Sequence, residues 1–540
     1  MIQVSGITKQ FGNKILYKDG SFQINKGEKI GLVGSNGSGK TTILRFIAKE
    51  EVPDQGEVLV PEKIVVGYFS QNLEDMSGRS VLAEVEAAHP RFTIVQEELS
   101  RLEGKFSEPL GDDEMAKVLE QYGELQSEFE SMGGYEFEAR AAEILTGLGI
   151  GPDDYTRNVE TFSGGWKMRI ALAKILLINP DMLLMDEPTN HLDVESIIWL
   201  ESWLKEFDGA ILMTCHDRDF MNRIVGRVVE VANKSINLYG GNYDFYESES
   251  KLRLQNLISS AKKQEDMLAK DREFIARFGS RASHAAQVQS RVKKLEKIDI
   301  IEIPSEEKAL RFEWQDTPRG GDQVVLVDNL EKTWKSPEKE TFVFSNVNAS
   351  VSRKDRIAVI GVNGAGKSTF MKIIVGDAEP TSGTVKTGPS IEVGYFSQNS
   401  LDVLNPENTV IDEMRSQLPM ASAGYIRNLL GSMLFSGDDI DKKISVLSGG
   451  EKSRLVLATI LSKPINLLVL DEPTNHLDIK SREVLMDALL RFEGTVMMVS
   501  HDRHFLRALT NRVFALSKNS LETYDGTYEE WVEHMAKQQS

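Results

Sequence analysis

The sequence has very little cysteine and no long apolar segment. Its single cysteine, Cys215, cannot form an internal disulfide, which excludes a disulfide-stabilised secreted protein. No apolar run approaches the roughly 18 to 20 residues that a bilayer-spanning helix needs. The first residues, MIQVSGITKQFG, lack a basic region followed by an apolar core, so no signal peptide is predicted. We therefore expect a cytoplasmic protein that does not cross a membrane.

Positive charge is also scarce. The chain has 63 Lys and Arg against 82 Asp and Glu, which gives a net charge of −19. Broad affinity for nucleic acid is not expected of the chain as a whole, because phosphate binding needs clustered cations. Residues 251–297 are an exception, with 12 Lys and Arg against 5 Asp and Glu.

One set of motifs occurs twice with nearly constant spacing. In both copies a P-loop lysine precedes a glutamine by 31 residues, and an SGG serine precedes a glutamate by 24 and a histidine by 53. The residues are Lys40, Gln71, Ser163, Glu187 and His216 in the first copy, and Lys367, Gln398, Ser448, Glu472 and His501 in the second. Only the interval from glutamine to serine differs, at 92 against 50 residues. The sequence therefore predicts a duplicated domain with 92 − 50 = 42 extra residues in its first copy.

Both copies contain a P-loop. Each follows an apolar, strand-like run (29–33 and 356–360) and precedes a helical segment, as this motif requires. Its glycines turn backbone N–H groups toward a phosphate, its lysine meets the β- and γ-phosphate oxygens, and the next Thr or Ser binds Mg²⁺. The predicted ATP-binding residues are Gly34, Ser35, Asn36, Gly37, Ser38, Gly39, Lys40, Thr41 and Thr42, and Gly361, Val362, Asn363, Gly364, Ala365, Gly366, Lys367, Ser368 and Thr369.

An acidic pair ends an apolar run of buried-strand length in both copies (182–187 and 467–472). At the carboxyl end of a parallel strand, such a pair emerges beside the bound phosphates. Asp186 and Asp471 are predicted to hold Mg²⁺, directly or through water. Glu187 and Glu472 are the candidates to orient or deprotonate the water that attacks ATP.

These motifs resemble those of the ABC ATPase superfamily, and the resemblance covers nearly the whole chain. It identifies residues 162–166 (FSGGW) and 447–451 (LSGGE) as signature motifs that face the nucleotide bound to the other copy. The resemblance implies two composite sites, both competent to hydrolyse ATP. The first would join Lys40, Thr41, Gln71, Asp186, Glu187 and His216 to Ser448, Gly449 and Gly450. The second would join Lys367, Ser368, Gln398, Asp471, Glu472 and His501 to Ser163, Gly164 and Gly165.

The same resemblance assigns roles to residues that no local pattern explains. Gln71 and Gln398 become Mg²⁺ ligands and, with His216 and His501, catalytic residues. Phe11 and Trp334 precede the P-loop lysines by 29 and 33 residues, where the superfamily stacks an aromatic ring on adenine; either could instead be a core aromatic. The common signature ends in glutamine, whereas this chain has Trp166 and Glu451, so side-chain contacts are not carried over at this position.

The basic segment between the copies is predicted to form two antiparallel helices joined near residues 279–284. Apolar residues recur at helical spacing on both, namely Leu254, Ala261, Leu268 and Ile275, then Ala285, Val288, Val292 and Leu295. Its local charge of +7 in an acidic chain predicts contact with nucleic acid, and RNA is favoured because no base-reading motif is present. The candidate RNA-binding residues are Arg277, Arg281, His284, Arg291, Lys293 and Lys294. The alternative is a charged helical spacer with solvated side chains.

The 42 extra residues of the first copy fall within about 81–132, a stretch of helical composition broken at 107–112. From Glu84 to Glu130 there are 13 acidic residues against 4 basic ones. RNA phosphate would repel this insertion, so contact with a basic protein is expected. The alternative is a solvated helical pair that covers the first domain.

The tandem copies, the insertion, the basic linker and the repeated sequence DEPTNHLD (186–193 and 471–478) together resemble the ABC-F family of translation factors. Residues 278–291 are similar to that family's linker tip. The resemblance implies an α/β fold with two P-loop ABC-type nucleotide-binding domains in tandem, an α-helical hairpin linker between them and a helical arm inserted in the first. We predict domains at 1–245 and 321–540, with the linker at 246–320 and the arm at about 81–132.

The resemblance also implies a function and partners. With ATP and Mg²⁺ as cofactors, such a protein binds the exit-tRNA site of the ribosome and contacts rRNA, the peptidyl-site tRNA near the peptidyl-transferase region, and exit-site ribosomal proteins. ATP hydrolysis releases it, and its two domains pair within one monomer. The short linker tip favours a housekeeping factor over an antibiotic-resistance ribosome protection factor. Two rival hypotheses are the ATPase component of a transporter and a DNA-repair ATPase.

Overall fold

The computed structural model describes residues 1–12, 14–70, 76, 78–106, 111–131, 134–190, 192–278, 285–296, 298, 312, 314, 316–335, 340–397, 400–435, 437–475, 477–517 and 519–539. Within these residues, two α/β domains with the same strand order follow one another, joined by a pair of helices. We call the elements from residue 2 to 239 the first cassette and those from 323 to 539 the second cassette.

The described strands of the first cassette form two sheets. They are β1 (Ile2–Phe11), β2 (Lys14–Ile24), β3 (Lys29–Val33), β4 (Gln55–Leu59), β5 (Val66–Phe69), β6 (Met182–Asp186), β7 (Ala210–Thr214), β8 (Arg227–Ala232) and β9 (Ser235–Tyr239). The larger sheet has the order β5-β6-β7-β3-β8-β9 and is parallel except for β9; the smaller, antiparallel sheet has the order β2-β1-β4. Because β3, β6 and β7 are parallel, their carboxyl ends meet at one edge, as the sequence predicts.

The first cassette also contains α-helices, some of which cover the larger sheet. They are α1 (Lys40–Ile47), α2 (Val81–Glu86), α3 (Pro90–Phe106), α4 (Asp112–Ser131), α5 (Gly134–Gly147), α6 (Gly164–Ile178), α7 (Val194–Glu206) and α8 (Arg218–Ile224). All five residues of β6 and all five of β7 are buried. Continuous apolar runs of this kind suit strands covered on both faces, which is why neither strand shows alternating polarity.

The second cassette repeats this arrangement. Its strands are β10 (Gln323–Lys335), β11 (Glu340–Ser352), β12 (Arg356–Ile360), β13 (Ser382–Thr387), β14 (Val393–Phe396), β15 (Leu467–Asp471), β16 (Thr495–Val499), β17 (Arg512–Leu516) and β18 (Leu521–Tyr524). Its helices are α11 (Lys367–Val375), α12 (Val410–Gln417), α13 (Ala423–Ser432), α14 (Gly449–Leu461), α15 (Ile479–Arg491), α16 (Arg503–Leu509) and α17 (Tyr528–Gln539). The sheet orders, β14-β15-β16-β12-β17-β18 and β11-β10-β13, match those of the first cassette. The predicted fold class is confirmed.

The arm of the first cassette consists of α3 and α4, which pack side by side in opposite directions. Arg91 pairs with Glu128 at 2.6 Å near one end, and the Tyr122 hydroxyl donates to Glu103 at 2.9 Å further along. The predicted interval begins at residue 81, but α2 occupies its start, and α2 has a counterpart in α12. Each of these two helices follows an isolated β-bridge, at Ser80 and at Thr409 respectively.

The linker hairpin consists of α9 (Tyr243–Phe278) and α10 (Ala285–Glu296). Arg291 forms an ion pair with the buried Asp271 and stacks its guanidinium 4.0 Å from the centroid of the Phe274 ring. Lys294, one turn further along α10, also approaches Asp271, at 3.6 Å. The predicted antiparallel pairing is thus confirmed, whereas the predicted tip at 279–284 lies outside the described residues.

The cassettes are in direct contact. Arg503 Nη1 of the second cassette lies 3.1 Å from Glu201 Oε1 of the first, and both side chains are only 5% exposed. Arg507 Nη1 lies 2.7 Å from Asp219 Oδ2 across the same interface. Because the first pair is almost fully shielded from water, the cassettes meet through a packed face.

Candidate composite nucleotide site

The two P-loops have the same local structure. Gly39 and Gly366 adopt left-handed conformations, with φ values of 101° and 95°, immediately before α1 and α11. A side chain is strained in this conformation, so glycine allows the loop to turn directly into the helix. Lys40 Nζ donates to the carbonyls of residues 34 and 35 at 2.8 and 3.1 Å, and Lys367 Nζ donates to those of residues 361 and 362 at 2.7 and 3.2 Å. Both ammonium groups are therefore held inside their loops.

The acidic pairs lie at the carboxyl ends of β6 and β15. Thr41 Oγ1, at the start of α1, donates to Asp186 Oδ2 at 2.8 Å, and Thr214 Oγ1 of β7 donates to Asp186 Oδ1 at 2.7 Å. Glu187 and Glu472 have positive φ values of 55° and 51°. This uncommon conformation turns each glutamate away from the line of its strand.

A histidine lies against the glutamate in both cassettes. His216 Nε2 is 3.2 Å from Glu187 Oε1, and His501 Nε2 is 3.1 Å from Glu472 Oε1. Burial raises the pKa of both glutamates to about 7. Burial also lowers the pKa of both histidines to about 3, so the imidazoles are neutral at physiological pH. The carboxylates and imidazoles are thus enclosed polar groups next to the P-loops.

The second composite site is assembled around a cavity of about 880 Å³ between the cassettes. The first signature lines it with Ser163, Gly164, Gly165 and Trp166. The second cassette contributes Trp334, Asn363, Gly364, Gly366, Lys367, Ser368, Thr369, Asp471, Glu472 and His501. These groups, predicted from motifs far apart in sequence, meet in one cavity that is large enough for a nucleotide.

The first composite site is brought together in part. Arg482 Nη1 of α15 donates to the backbone carbonyl of His216 at 3.2 Å. Burial lowers the pKa of Lys40, and the carboxylate of Asp478, from the second cassette, opposes that shift. No hydrogen bond or ion pair among the described residues joins Ser448 to the first P-loop. Gln71 and Gln398 lie outside the described residues.

The two aromatic candidates lie at strand ends near their P-loops. Trp334, at the end of β10, is 44% exposed and lines the cavity. Phe11, at the end of β1, is 53% exposed. A lysine approaches each ring, with Lys332 Nζ 3.9 Å and Lys9 Nζ 5.2 Å from the respective centroids. Neither ring is a core side chain, and both remain accessible for stacking.

The candidate RNA-binding residues differ in their surroundings. Arg291 is engaged within the linker hairpin by Asp271 and Phe274. Arg277 is 67% exposed and bonds Glu273 at 2.9 Å, and Lys293 is exposed. Arg281 and His284 lie outside the described residues. Part of the basic charge thus holds the two linker helices together.

Sequence reasoning missed a buried pair behind the first signature. Arg169 Nη2 lies 3.2 Å from Asp193 Oδ2, and Arg169 Nη1 donates to the carbonyl of Leu148 at 2.8 Å. Asp193 also caps α7 by accepting from Ser196 N at 2.9 Å. The sequence did contain one feature that could have indicated this pair. An arginine follows the signature serine by six residues in both copies, as Arg169 in the first and Arg454 in the second.

Comparison with known families assigns the architecture. A family model described as ABC transporter matches residues 17–190 and 344–475, which include both P-loops, signatures and acidic pairs. A second model with the same description matches residues 229–312, which include most of the linker. None of the described helices combines the length and the apolarity needed to cross a bilayer.

Several known proteins resemble the chain over its full length. The ATP-binding protein YdiF of Bacillus subtilis is 36% identical over 539 residues, which cover 100% of this chain and 83% of that protein. ABC transporter F family member 5 of Arabidopsis thaliana is 35% identical over 537 residues, 98% of this chain and 77% of that protein. The archaeal ribosome recycling factor aABCE1, solved with the ribosomal stalk protein aP1, superposes with a TM-score of 0.61 over 98% of this chain and 92% of that one, at 17% identity. This last likeness concerns the fold.

Proposed function

Because the chain belongs to the ABC-F family of tandem ABC ATPases, we propose that it is a translation factor that binds the ribosome with ATP and leaves it after hydrolysis. The observation that carries the proposal is the linker hairpin, which joins the two facing cassettes and contains most of the 251–297 segment of charge +7 in a chain of charge −19. ATP-driven closure of the cassettes can reposition such a hairpin, and its charge suits RNA phosphate. The fold is shared with aABCE1, which is described as a ribosome recycling factor.

Hydrolysis proceeds at the composite sites. In the second, Lys367 binds the β- and γ-phosphates of ATP, and Ser163 of the facing cassette binds the γ-phosphate. Glu472 orients the water that attacks the γ-phosphorus, and His501 holds this carboxylate. The bond from phosphorus to the β,γ-bridging oxygen breaks, and ADP and phosphate are released. The corresponding residues of the first site are Lys40, Ser448, Glu187 and His216.

Mg²⁺ fits the oxygen groups beside each P-loop. Thr41 Oγ1 and Asp186 Oδ2, already 2.8 Å apart, offer the hard oxygen ligands that this cation prefers. Ser368 and Asp471 occupy the same positions in the second cassette, and Gln71 and Gln398 complete the proposed ligand set. When bound, Mg²⁺ would neutralise charge on the phosphates. The protein groups fix the position of the nucleotide relative to Glu187 and Glu472.

On the ribosome, the proposed site is the exit-tRNA site. The linker hairpin contacts rRNA and the peptidyl-site tRNA near the peptidyl-transferase region, through the basic residues predicted above. The acidic arm contacts the ribosome's mobile stalk or a nearby basic ribosomal protein, and the remaining contacts are with exit-site ribosomal proteins. One cytoplasmic monomer suffices, because its own two cassettes supply both halves of each composite site.

The test is a trap of the ATP-bound state. The double variant Glu187→Gln, Glu472→Gln should bind ATP, hydrolyse it slowly and sediment with ribosomes in a sucrose gradient containing ATP. With ADP in the gradient, the same protein should sediment free, which is the matched control. A double variant that binds ATP but never sediments with ribosomes contradicts the translational proposal. ATP-dependent recovery with membrane subunits would instead support a transporter ATPase, and salt-sensitive binding to duplex DNA a repair ATPase.

A further inference from the structure

The second signature begins with a closed hydrogen-bond ring that the first signature lacks. Ser448 N and Ser448 Oγ both donate to Glu451 Oε2, at 2.8 and 2.7 Å, and Glu451 N donates back to Ser448 Oγ at 3.3 Å. This reciprocal arrangement is a capping box at the start of α14. The signature serine is thus already engaged by a carboxylate of its own helix.

The first signature has Trp166 at the corresponding position, and tryptophan cannot form this ring. Among the described residues, the Ser163 side chain makes no capping hydrogen bond. The Trp166 ring lies 4.9 Å from the Arg169 guanidinium, and Ser163 lines the cavity that contains Lys367. Ser163 therefore lines this site without a capping hydrogen bond from its side chain to its own helix.

A carboxylate and a phosphate compete for the same place at a helix N-terminus. Both are stabilised by the unpaired backbone N–H groups and by the positive end of the helix dipole. At α14, the Glu451 carboxylate already accepts from the hydroxyl that the γ-phosphate must reach. Two anions at one helix start also repel each other, so one must leave when the other enters.

We propose that Glu451 is a built-in competitor of the ATP γ-phosphate at the first composite site, so that this site closes only after Glu451 is displaced. At the second composite site, Trp166 stands where Glu451 stands in the other signature and supplies no such carboxylate, so this site closes at lower ATP concentration. This inference rests on the composite sites proposed above, in which Ser448 completes the first site and Ser163 the second. Glu451 is a positioning residue in this scheme: it acts through Ser448 and does not touch the reacting atoms.

The experiment measures ATP occupancy of the two sites separately. In the Glu187→Gln, Glu472→Gln background, binding of radiolabelled ATP should saturate in two steps of one nucleotide each. Adding Glu451→Gln removes the charge but keeps an oxygen that can cap the helix, and should lower the half-saturating ATP concentration of the weaker step roughly fivefold, which corresponds to about 1 kcal/mol. The stronger step should not move.

The reciprocal variant identifies the sites. Trp166→Glu recreates the capping box at the first signature, so it should weaken the stronger step by a similar factor. Trp166→Gln, which changes size and polarity without adding charge, is the matched control and should shift that step much less. Melting temperatures within about 2 °C of the parent would show that no variant acts by unfolding.

The outcomes separate the two proposals. Two indistinguishable binding steps in the parent, or an unmoved weaker step in Glu451→Gln, would overturn the role of Glu451 while leaving the composite sites intact. Failure of the parent to bind two ATP molecules would instead contradict the proposed sites themselves.

Discussion

Arg169 is the residue on which the backbone around the first signature depends. It is 2% exposed, and it bonds Asp193 and the carbonyl of Leu148 at once. Burial opposes ionisation of Asp193, but the Arg169 charge and the bonds from Ser196 hold the pKa of Asp193 below its usual value. The ionised pair fixes the end of α5 and the start of α7 to the helix that carries Ser163.

Replacing Arg169 by methionine should destabilise the first cassette by about 4 kcal/mol. The substitution leaves the Asp193 carboxylate buried without its cation, and loss of one partner of a buried pair typically costs this much. Differential scanning calorimetry should show the unfolding transition of this cassette lowered by about 10 °C. Lys167→Met on the same helix is the control and should change the transition temperature little.

The ion pair also makes stability depend on pH. Its contribution to the free energy of unfolding is fully present above the pKa of aspartate in the unfolded chain, about 3.9, and is lost as the pH falls through the lower pKa of Asp193 in the folded protein. If Arg169→Met lost the same stability at pH 7 and at pH 2, the assignment of this ion pair would be contradicted.

At the residue scale, the sequence was most informative where a structural feature depends on the local backbone. A P-loop is defined by glycines and a helix start, so spacing alone located Lys40 and Lys367. The pair of Arg169 and Asp193 joins positions 24 residues apart through tertiary packing, and no local pattern encodes it. Arg291 was predicted to bind RNA from its charge, but composition does not show whether a cation faces solvent or a buried aspartate.

The linker hairpin is an element held together by polar contacts as much as by apolar ones. The apolar residues Ala261 and Leu268 of α9 are buried, which agrees with the predicted helical spacing of apolar residues. Asp271 lies about one helical turn after Leu268 on α9 and forms ion pairs with both Arg291 and Lys294 of α10. Two helices with few large apolar side chains therefore gain their register from ion pairs.

Two single substitutions in α10 should separate the structural charge from the solvated one. Arg291→Ala leaves Asp271 with Lys294 as its remaining cationic partner among the described residues, so amide hydrogen exchange across α10 should quicken roughly tenfold, the equivalent of about 1.4 kcal/mol. Lys293→Ala removes the same charge without touching Asp271 and should leave exchange unchanged. Both variants should make ribosome binding less dependent on salt by a similar amount. Equal exchange rates in the two variants would show that the Asp271 contact does not hold the hairpin.

The arm shows how far element prediction reaches. The interval of 42 extra residues and the acidic, helical composition indicated an inserted helical pair, and α3 and α4 form one. The predicted start at residue 81 includes α2, because comparing motif spacings gives the size of an insertion and not its boundaries. The matching β-bridges at Ser80 and Thr409 identify α2 as part of the shared fold.

At the scale of the whole molecule, the sequence predicted two copies in register, but only the resemblance to ABC ATPases predicted that they face each other. The contacts that achieve this, such as Arg503 with Glu201, join residues about 300 positions apart.

Within the described residues, Arg218 is placed differently from the other interface arginines. It lies 3.4 Å from Glu483 of the second cassette and also pairs with Glu247 on α9. The guanidinium of Arg218, which is two residues after His216 in the sequence, thus contacts both the first turns of α9 and the second cassette.

Removing this link should uncouple ATP binding from the linker hairpin. In Arg218→Ala, both P-loops and the contact of Arg503 with Glu201 remain, so ATP hydrolysis should change less than about threefold, as expected when partly exposed ion pairs are lost. ATP-dependent ribosome binding should fall by a larger factor, because closure of the cassettes is no longer transmitted to Glu247 and α9. Arg507→Ala is the matched control, since its pair with Asp219 joins the cassettes without touching α9. ATP hydrolysis and ribosome sedimentation should be measured in parallel for both variants. If Arg218→Ala and Arg507→Ala lose hydrolysis and ribosome binding in the same proportion, Arg218 stabilises the interface and does not couple it to α9.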